Sequence, residues 1–250
     1  VQLSGTWARE RNVVTRPLAS GRQAVASLRG TSSHEHNPFI VLARPGATEQ
    51  AGEAYGFSLV YSGNFVAEAE VDAFEATRVR LGINPETFAW TLEPGAELAV
   101  PEAVLAWSGE GLGALSDAYH RLYRERLARG AWRDRERRAL VNNWEATYFD
   151  FDEAKLVEIA KVARELGIEL FVLDDGWFGE RDDDTTSLGD WYVNRRKLPG
   201  GLAGLVRKVA ALGLQFGLWI EPEMVSRRSR LFDEHPDWAI GVPGRPRTES

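Results

Sequence analysis

The chain has 250 residues, 44% of them hydrophobic, enough to bury a sizeable core in one large domain or two ordinary ones. A formal net charge of −7 excludes a sequence-independent grip on phosphates, which rests on clustered Lys and Arg, so no nucleic-acid partner is expected. The absence of cysteine excludes a disulfide framework, a thiol nucleophile and Cys-ligated zinc, and it points to a cytoplasmic setting.

No apolar run approaches the roughly 18 residues of a membrane span, so no membrane partner is expected. Val1 opens without a charged n-region or an initiator Met, and the natural start is expected upstream.

From Val1 to about Trp107 short apolar groups alternate with turn residues: "FIVLAR", "YGFSLVYSGNF", "VRLGINPETFAW" and "TLEPGAEL". This spacing predicts an all-β region over residues 1–108, an antiparallel sandwich or barrel. In "FSLVYSG" Phe57, Leu59 and Tyr61 share one face and Ser58, Val60 and Ser62 the other, the period of two of a half-buried strand. Leu112, Leu115, Tyr119, Leu122 and Tyr123 then recur at three- and four-residue steps and predict an amphipathic helix ended by Gly130. Residues 109–138 therefore read as a helical connection, closing with the solvated charge run "RDRERR".

Residues 139–250 alternate strand and helix. "LVNNW" is a predicted strand, Asp152 to Gly167 a helix with Asp152 as N-cap and Gly167 as stop, and "IELFVLDD" the next strand. A helix around Leu202 to Leu212 and the strand "LQFGLW" follow. The pattern predicts βαβ units on a parallel sheet, either doubly wound or closing as a (β/α)8 barrel. About three units are present, whereas a whole barrel takes about 250 residues.

In parallel α/β folds ligands bind beyond the carboxyl ends of the strands, and these ends carry Trp144, then Asp174 and Asp175, then Trp219 with Glu221 and Glu223 behind it. Indole faces beside carboxylates suit a neutral polyhydroxylated ligand, whose C–H face lies on the ring while its hydroxyls donate to the acids. Adjacent strand residues point to opposite sides, so one of Asp174 and Asp175 reaches the site, and the second joins it only if the strand has ended; Gly176 gives the freedom to bend.

Each residue also has a plainer reading. An Asp after a strand serves equally as a loop or capping residue, and a lone Trp as core packing. Glu221 and Glu223 read either as acid/base groups or as bracing. "RDDDTTSLGD" lacks the spacing and terminal Glu of a calcium loop, and His34 and His36 have no third ligand, so no metal site is predicted. "GEGLGAL" follows no βαβ strand and is not a phosphate loop.

The blocks "SSHEHNPFI", "YGFSLVYSGNF", "GINPETFAWTLEPG", "NNWEATYFDF", "FVLDDGWFG", "LGDWYVN" and "FGLWIEPEMVS", followed by "HPDW", resemble, in order, the bacterial α-galactosidases of family 36 of the glycoside hydrolases. The resemblance implies a cofactor-free enzyme, often tetrameric, with an N-terminal β-supersandwich, a catalytic (β/α)8 TIM barrel and a C-terminal β domain. It implies retaining hydrolysis of α-galactosides such as melibiose and raffinose through a galactosyl-enzyme intermediate.

On that resemblance Trp144 matches the family's sugar-pocket Trp, Asp174 and Asp175 the pair holding the galactose 4- and 6-hydroxyls, and Trp219 an aromatic wall. The family's nucleophile, an Asp after the fourth barrel strand, and its later acid/base Asp are expected beyond Ser250. The chain alone is therefore expected to be inactive. Transfer of galactose, a preference for N-acetylgalactosamine, and a non-catalytic sugar-binding role remain alternatives.

Overall fold

Two antiparallel sheets build the first unit, Val1–Arg133, of the computed structural model, which describes residues 1–247. The strands are β1 (Gln2–Ser4), β2 (Asn12–Val14), β3 (Gly21–Ala26), β4 (His36–Ala43), β5 (Ala54–Val60), β6 (Phe65–Val71), β7 (Thr77–Ile83) and β8 (Glu102–Ser108). One sheet has the order β2-β1-β4-β5-β8 and the other β3-β6-β7. Ile40, Phe57 and Leu59 of the first pack against Val25, Phe65, Ala67, Val79 and Leu81 of the second, making a sandwich core.

The other face of the five-stranded sheet is covered as well. Helix α1 (Gly111–Leu122) lays Leu112, Leu115, Tyr119 and Leu122 on Phe39, Val41, Ala54 and Val104, as its apolar spacing predicts. The expectation of a half-buried strand at "FSLVYSG" is therefore corrected, because β5 lies between the sandwich core and α1. Ser58 Oγ sits 3.2 Å from Tyr123 Oη on the helical side, and Tyr61 falls past the strand end.

Gly56 makes the close approach of α1 possible, since a Cβ there would stand 2.5 Å from the Tyr119 ring. Burial, with Tyr123 adding to it, pushes the Tyr119 phenol up to about 12, and its hydroxyl donates to the Val104 carbonyl at 3.1 Å.

"TLEPGAEL" forms no strand, because Pro94 and Gly95 are spent on a turn closed by Ala96 N donating to Glu93 O at 3.0 Å. After α1 a π-helical turn, Tyr123–Leu127, ends the helical stretch short of Gly130.

The second unit, Asp134–Ser250, contains β9 (Leu140–Asn142), α2 (Trp144–Thr147), α3 (Glu153–Glu165), β10 (Leu170–Leu173), α4 (Gly201–Ala211), β11 (Gln215–Leu218) and α5 (Arg230–Glu234). Its three strands are parallel and stand in chain order, β9-β10-β11. A doubly wound sheet reverses direction at a switch point, whereas strands added steadily to one side are how a barrel winds, so this unit is the opening of a (β/α)8 barrel.

Leu156 and Ala160 of α3, and Leu205 and Val209 of α4, pack with Phe171 and Leu173 of β10, all essentially inaccessible to water. Each such large side chain stabilises the unit by about 1.5–3 kcal/mol. Asp152 caps α3 as predicted, accepting from Lys155 N at 2.8 Å, and Gly167 follows the helix at φ +83°. Among the described residues no helix is long and apolar enough to cross a membrane.

Candidate active site

All three strands of the second unit stop earlier than the sequence pattern predicts, and that alters the presentation of each rim residue. β9 ends at Asn142, so Trp144 is the first residue of the one-turn helix α2 rather than the last of a strand. β10 ends at Leu173, which places both Asp174 and Asp175 past the pleat and frees them from pointing to opposite sides. Gly176 takes φ +92°, where a Cβ would stand 3.1 Å from Phe149 and 3.3 Å from Lys197 Nζ, so the bend after the acids requires glycine. Trp219 follows β11 and extends its ladder, donating from its backbone to Leu173 O at 2.8 Å.

Two asparagines that read from sequence only as strand residues join these ends. The Asn142 side-chain amide donates to the Asp174 carboxylate, and its oxygen accepts from Trp144 N at 2.7 Å. Asn143, fully buried, accepts from Asp174 N at 2.8 Å and donates to Thr147 Oγ1 at 2.8 Å. The path from β9 into α2 is thereby fixed to the path out of β10. Immediately after α2, Tyr148 holds φ +45°, a strained conformation for a non-glycine residue.

The two acids differ in environment. Asp174 is partly exposed; one carboxylate oxygen accepts from Asn142 and the other from Asp175 N at 2.7 Å. Asp175 is 6% exposed and forms a bidentate pair with Arg181, itself 5% exposed, through Nε to Oδ1 at 2.6 Å and Nη2 to Oδ2 at 2.8 Å. Its Oδ1 also accepts from Gly176 N at 2.7 Å. A carboxylate offers about four acceptor positions, so Asp174 keeps about two free and Asp175 about one, on Oδ2.

The aromatic groups form a continuous run through this pair. Trp144 meets Phe149 edge-on at 5.1 Å, the Arg181 guanidinium lies 5.6 Å from the Phe149 ring and 5.7 Å from the Phe178 ring, and Phe178 stacks on Trp219 at 6.5 Å. Trp191 and Trp177 support the far end, and Trp177 Nε1 donates to Trp219 O at 3.0 Å. The four predicted site residues are therefore tied into one network, with both indoles partly exposed.

Lys197, also unforeseen, is 5% exposed beneath this loop. Its ammonium donates to the carbonyls of Phe149 and Arg181, both at 2.9 Å, and pairs with Asp182 at 3.2 Å; burial lowers its pKa from the ordinary lysine value. Glu221 is pushed up from the usual carboxylate range by burial first and then by Glu223, with Asp175 adding to the rise and Arg181 opposing it. A cleft of about 510 Å³ opens beside the α2–α3 connection, lined by Tyr148, Phe149, Phe151 and Lys197 among others, but not by the four rim residues.

Other acids of this loop are paired within it. Asp182 pairs with Arg196 and Lys197, and Asp183 accepts from the Thr185 hydroxyl at 2.7 Å and backbone at 2.9 Å, so these acids serve the loop itself. Among the described residues no group of His, Asp and Glu is placed to hold a metal ion. His36 Nδ1 lies 3.1 Å from Ser4 Oγ across β1 and β4.

A β-sandwich followed by the start of a parallel α/β barrel, with carboxylates and indoles at the strand ends, is an arrangement that suits a neutral polyhydroxylated ligand. Comparison with known proteins makes it specific: the Melibiase family profile matches residues 97–250, and the glycosyl hydrolase family 36 N-terminal domain matches residues 1–93. The chain belongs to the melibiase family, with a family 36 N-terminal domain ahead of it.

Alpha-galactosidase AgaA of Geobacillus stearothermophilus is 62% identical over the whole chain, and alpha-galactosidase 1 of Pediococcus pentosaceus 51% identical over 98% of it. The crystal structure of alpha-galactosidase AgaB from G. stearothermophilus superposes with a TM-score of 0.96 at 62% identity, covering all of this chain and 34% of that one. A variant of AgaA solved in complex with raffinose also gives 0.96 at 62% identity, covering all of this chain and 35% of that one. The chain spans about a third of the length of the curated relatives it matches.

Proposed function

We propose that the protein carrying this chain is a retaining α-galactosidase, and that residues 139–250 hold the part of its pocket that orients the galactosyl ring. The observation that carries the reading is the pair of post-strand acids with free acceptor positions, fixed between two partly exposed indoles. Asp174 and Asp175 accept from sugar hydroxyls at positions 4 and 6 while Trp144 and Trp219 take the apolar faces. An epimer that fails to donate leaves a buried acceptor unpaired, at about 1–3 kcal/mol.

Retention needs a second pair of carboxylates about 5–5.5 Å apart across the glycosidic bond. On the family resemblance those two roles fall to residues past Ser250, and Asp174 and Asp175, bonded to Asn142 and Arg181, are left to orient the sugar. The protein is expected to assemble as a homotetramer, on the family resemblance alone.

The test is to assay the natural gene product with p-nitrophenyl α-galactoside, and with raffinose plus excess sucrose as acceptor. Release of free galactose is expected; predominant transfer to the acceptor, or no turnover, would overturn the assignment. Residues 1–250 alone are expected to leave both substrates intact, and turnover by them would mean that the nucleophile lies within this chain.

A further inference from the structure

We propose that Arg181 is a positioning residue for sugar recognition: its guanidinium fork fixes the plane of the Asp175 carboxylate, so that the one free acceptor position on Oδ2 faces a single ligand hydroxyl. The inference rests on the reading of Asp175 as a sugar contact. It adds a residue that touches no substrate and yet sets which hydroxyl is accepted.

Three observations carry it. First, the two bonds from Nε and Nη2 are parallel and short, 2.6 and 2.8 Å, which fixes the carboxylate both in place and in rotation; a single point donor would leave the rotation open. Second, the guanidinium is itself immobilised. Nη1 donates to Thr186 O at 2.7 Å and to Asp184 O at 3.3 Å, and the rings of Phe149 and Phe178 lie near it at 5.6 and 5.7 Å.

Third, the Arg181 carbonyl accepts from the buried Lys197 ammonium at 2.9 Å, so the backbone carrying the fork is held from below. A recognition carboxylate works only if its supporting groups hold it within a fraction of an ångström of the productive geometry. An exposed loop Asp would have no use for a desolvated arginine.

The consequence is selective. Arg181→Lys keeps the positive charge beside Asp175 but loses the fork, so the carboxylate rotates and the aimed acceptor is lost. That loss matters only for ligands carrying the hydroxyl that Asp175 accepts.

The experiment uses the natural gene product and compares p-nitrophenyl α-galactoside with its 4-deoxy and 6-deoxy analogues. The analogue on which Asp175→Asn loses least identifies the hydroxyl in question. On the parent substrate Arg181→Lys is expected to lower kcat/KM by at least about tenfold, and on the identified analogue by less than about threefold. The Asp175→Asn/Arg181→Lys double variant is expected to lose little more than Asp175→Asn alone, because both changes remove one contact.

A loss of equal size on all three substrates would make Arg181 merely structural and overturn the proposal, as would an Asp175→Asn variant with undiminished activity. A wild-type protein inactive on every galactoside would instead defeat the underlying reading. Should Arg181→Lys fail to fold, Asp175→Asn/Arg181→Gln replaces the buried ion pair by a neutral amide pair, avoiding an unpaired charge. Its loss is then expected to match that of Asp175→Asn on each substrate, and a further loss spread equally over all three substrates would overturn the proposal.

Discussion

The two units bury different things. In the sandwich the interior is apolar, with Phe65, Leu59 and Val25 meeting across the sheets, and its buried polar residues are mostly small ones such as Ser27, Ser58 and Asn84. In the barrel unit Asp175, Arg181, Asp190 and Lys197 are all at most 6% exposed and sit in loops that follow or support the strand ends. Taking ionised groups out of water is unfavourable unless each finds a partner, and here each does. The sandwich is held mainly by volume, and its buried Glu68 pairs outward with the exposed Arg22 and Arg80. The barrel rim is held by volume and by compensated charge, which is what a site built to orient a polar ligand requires.

That contrast can be broken by substitution. Asp175→Ala strands the Arg181 guanidinium without its counter-ion and is expected to destabilise the second unit by about 3–5 kcal/mol, read as a shift of the unfolding midpoint. Phe65→Ala is expected to cost the sandwich a similar 3–5 kcal/mol through the cavity it leaves. By comparison, removing the exposed Arg29–Glu35 pair should change stability by less than about 1 kcal/mol. An Asp175→Ala variant as stable as wild type would show that the rim does not depend on its buried charge.

A smaller effect sharpens the picture of how α3 is set on the sheet. Asp152→Ala removes the cap on Lys155 N and is expected to lower stability by about 1 kcal/mol, with Asp152→Ser restoring most of it; no rescue by Ser would argue against capping as the cause.

The smallest effect concerns Glu221. Its value is raised in the folded state, so the folded protein holds that proton more tightly than the unfolded chain does, and stability falls as pH rises through the raised value. Glu221→Gln is therefore expected to raise Tm at neutral pH, on the order of 1 °C, with the gain vanishing below the ordinary carboxylate range. A gain unchanged by pH would place its origin elsewhere.

Much of this was legible in the sequence, and the misses share a cause. Periodicity located β5, α1, α3, α4 and the three parallel strands, because apolar spacing reports which face is buried. It could not show that β5 is covered on both sides, since the second cover, α1, comes from a stretch more than 50 residues downstream. Each strand stops one or two residues before the end of its sequence pattern, and the residues freed from the pleat are Asn143, Trp144, Asp174, Asp175 and Trp219.

Trp144, Asp174, Asp175 and Trp219 stood out as unusual residues at strand ends. Their supports did not. Arg181 lies in "GERDDD" and Lys197 in "NRRKLPG", stretches that look like solvated charge, and whether such a charge is desolvated depends on the path of the loop and not on local pattern. The doubled Asn of "LVNNW" is the local signal of this bracing: two side-chain amides at a strand end, with no turn glycine, accept from the backbone N–H groups of Trp144 and Asp174.

The central claim is that these strand ends grip a galactosyl ring, and Asp174 tests it most directly because its carboxylate keeps free acceptor positions and its loss strands no buried charge. Replacing Asp174 by Ala in the natural gene product is expected to reduce kcat/KM on p-nitrophenyl α-galactoside by at least about 100-fold while the protein stays folded. A change smaller than about threefold would contradict the account and return Asp174 to the status of a loop residue.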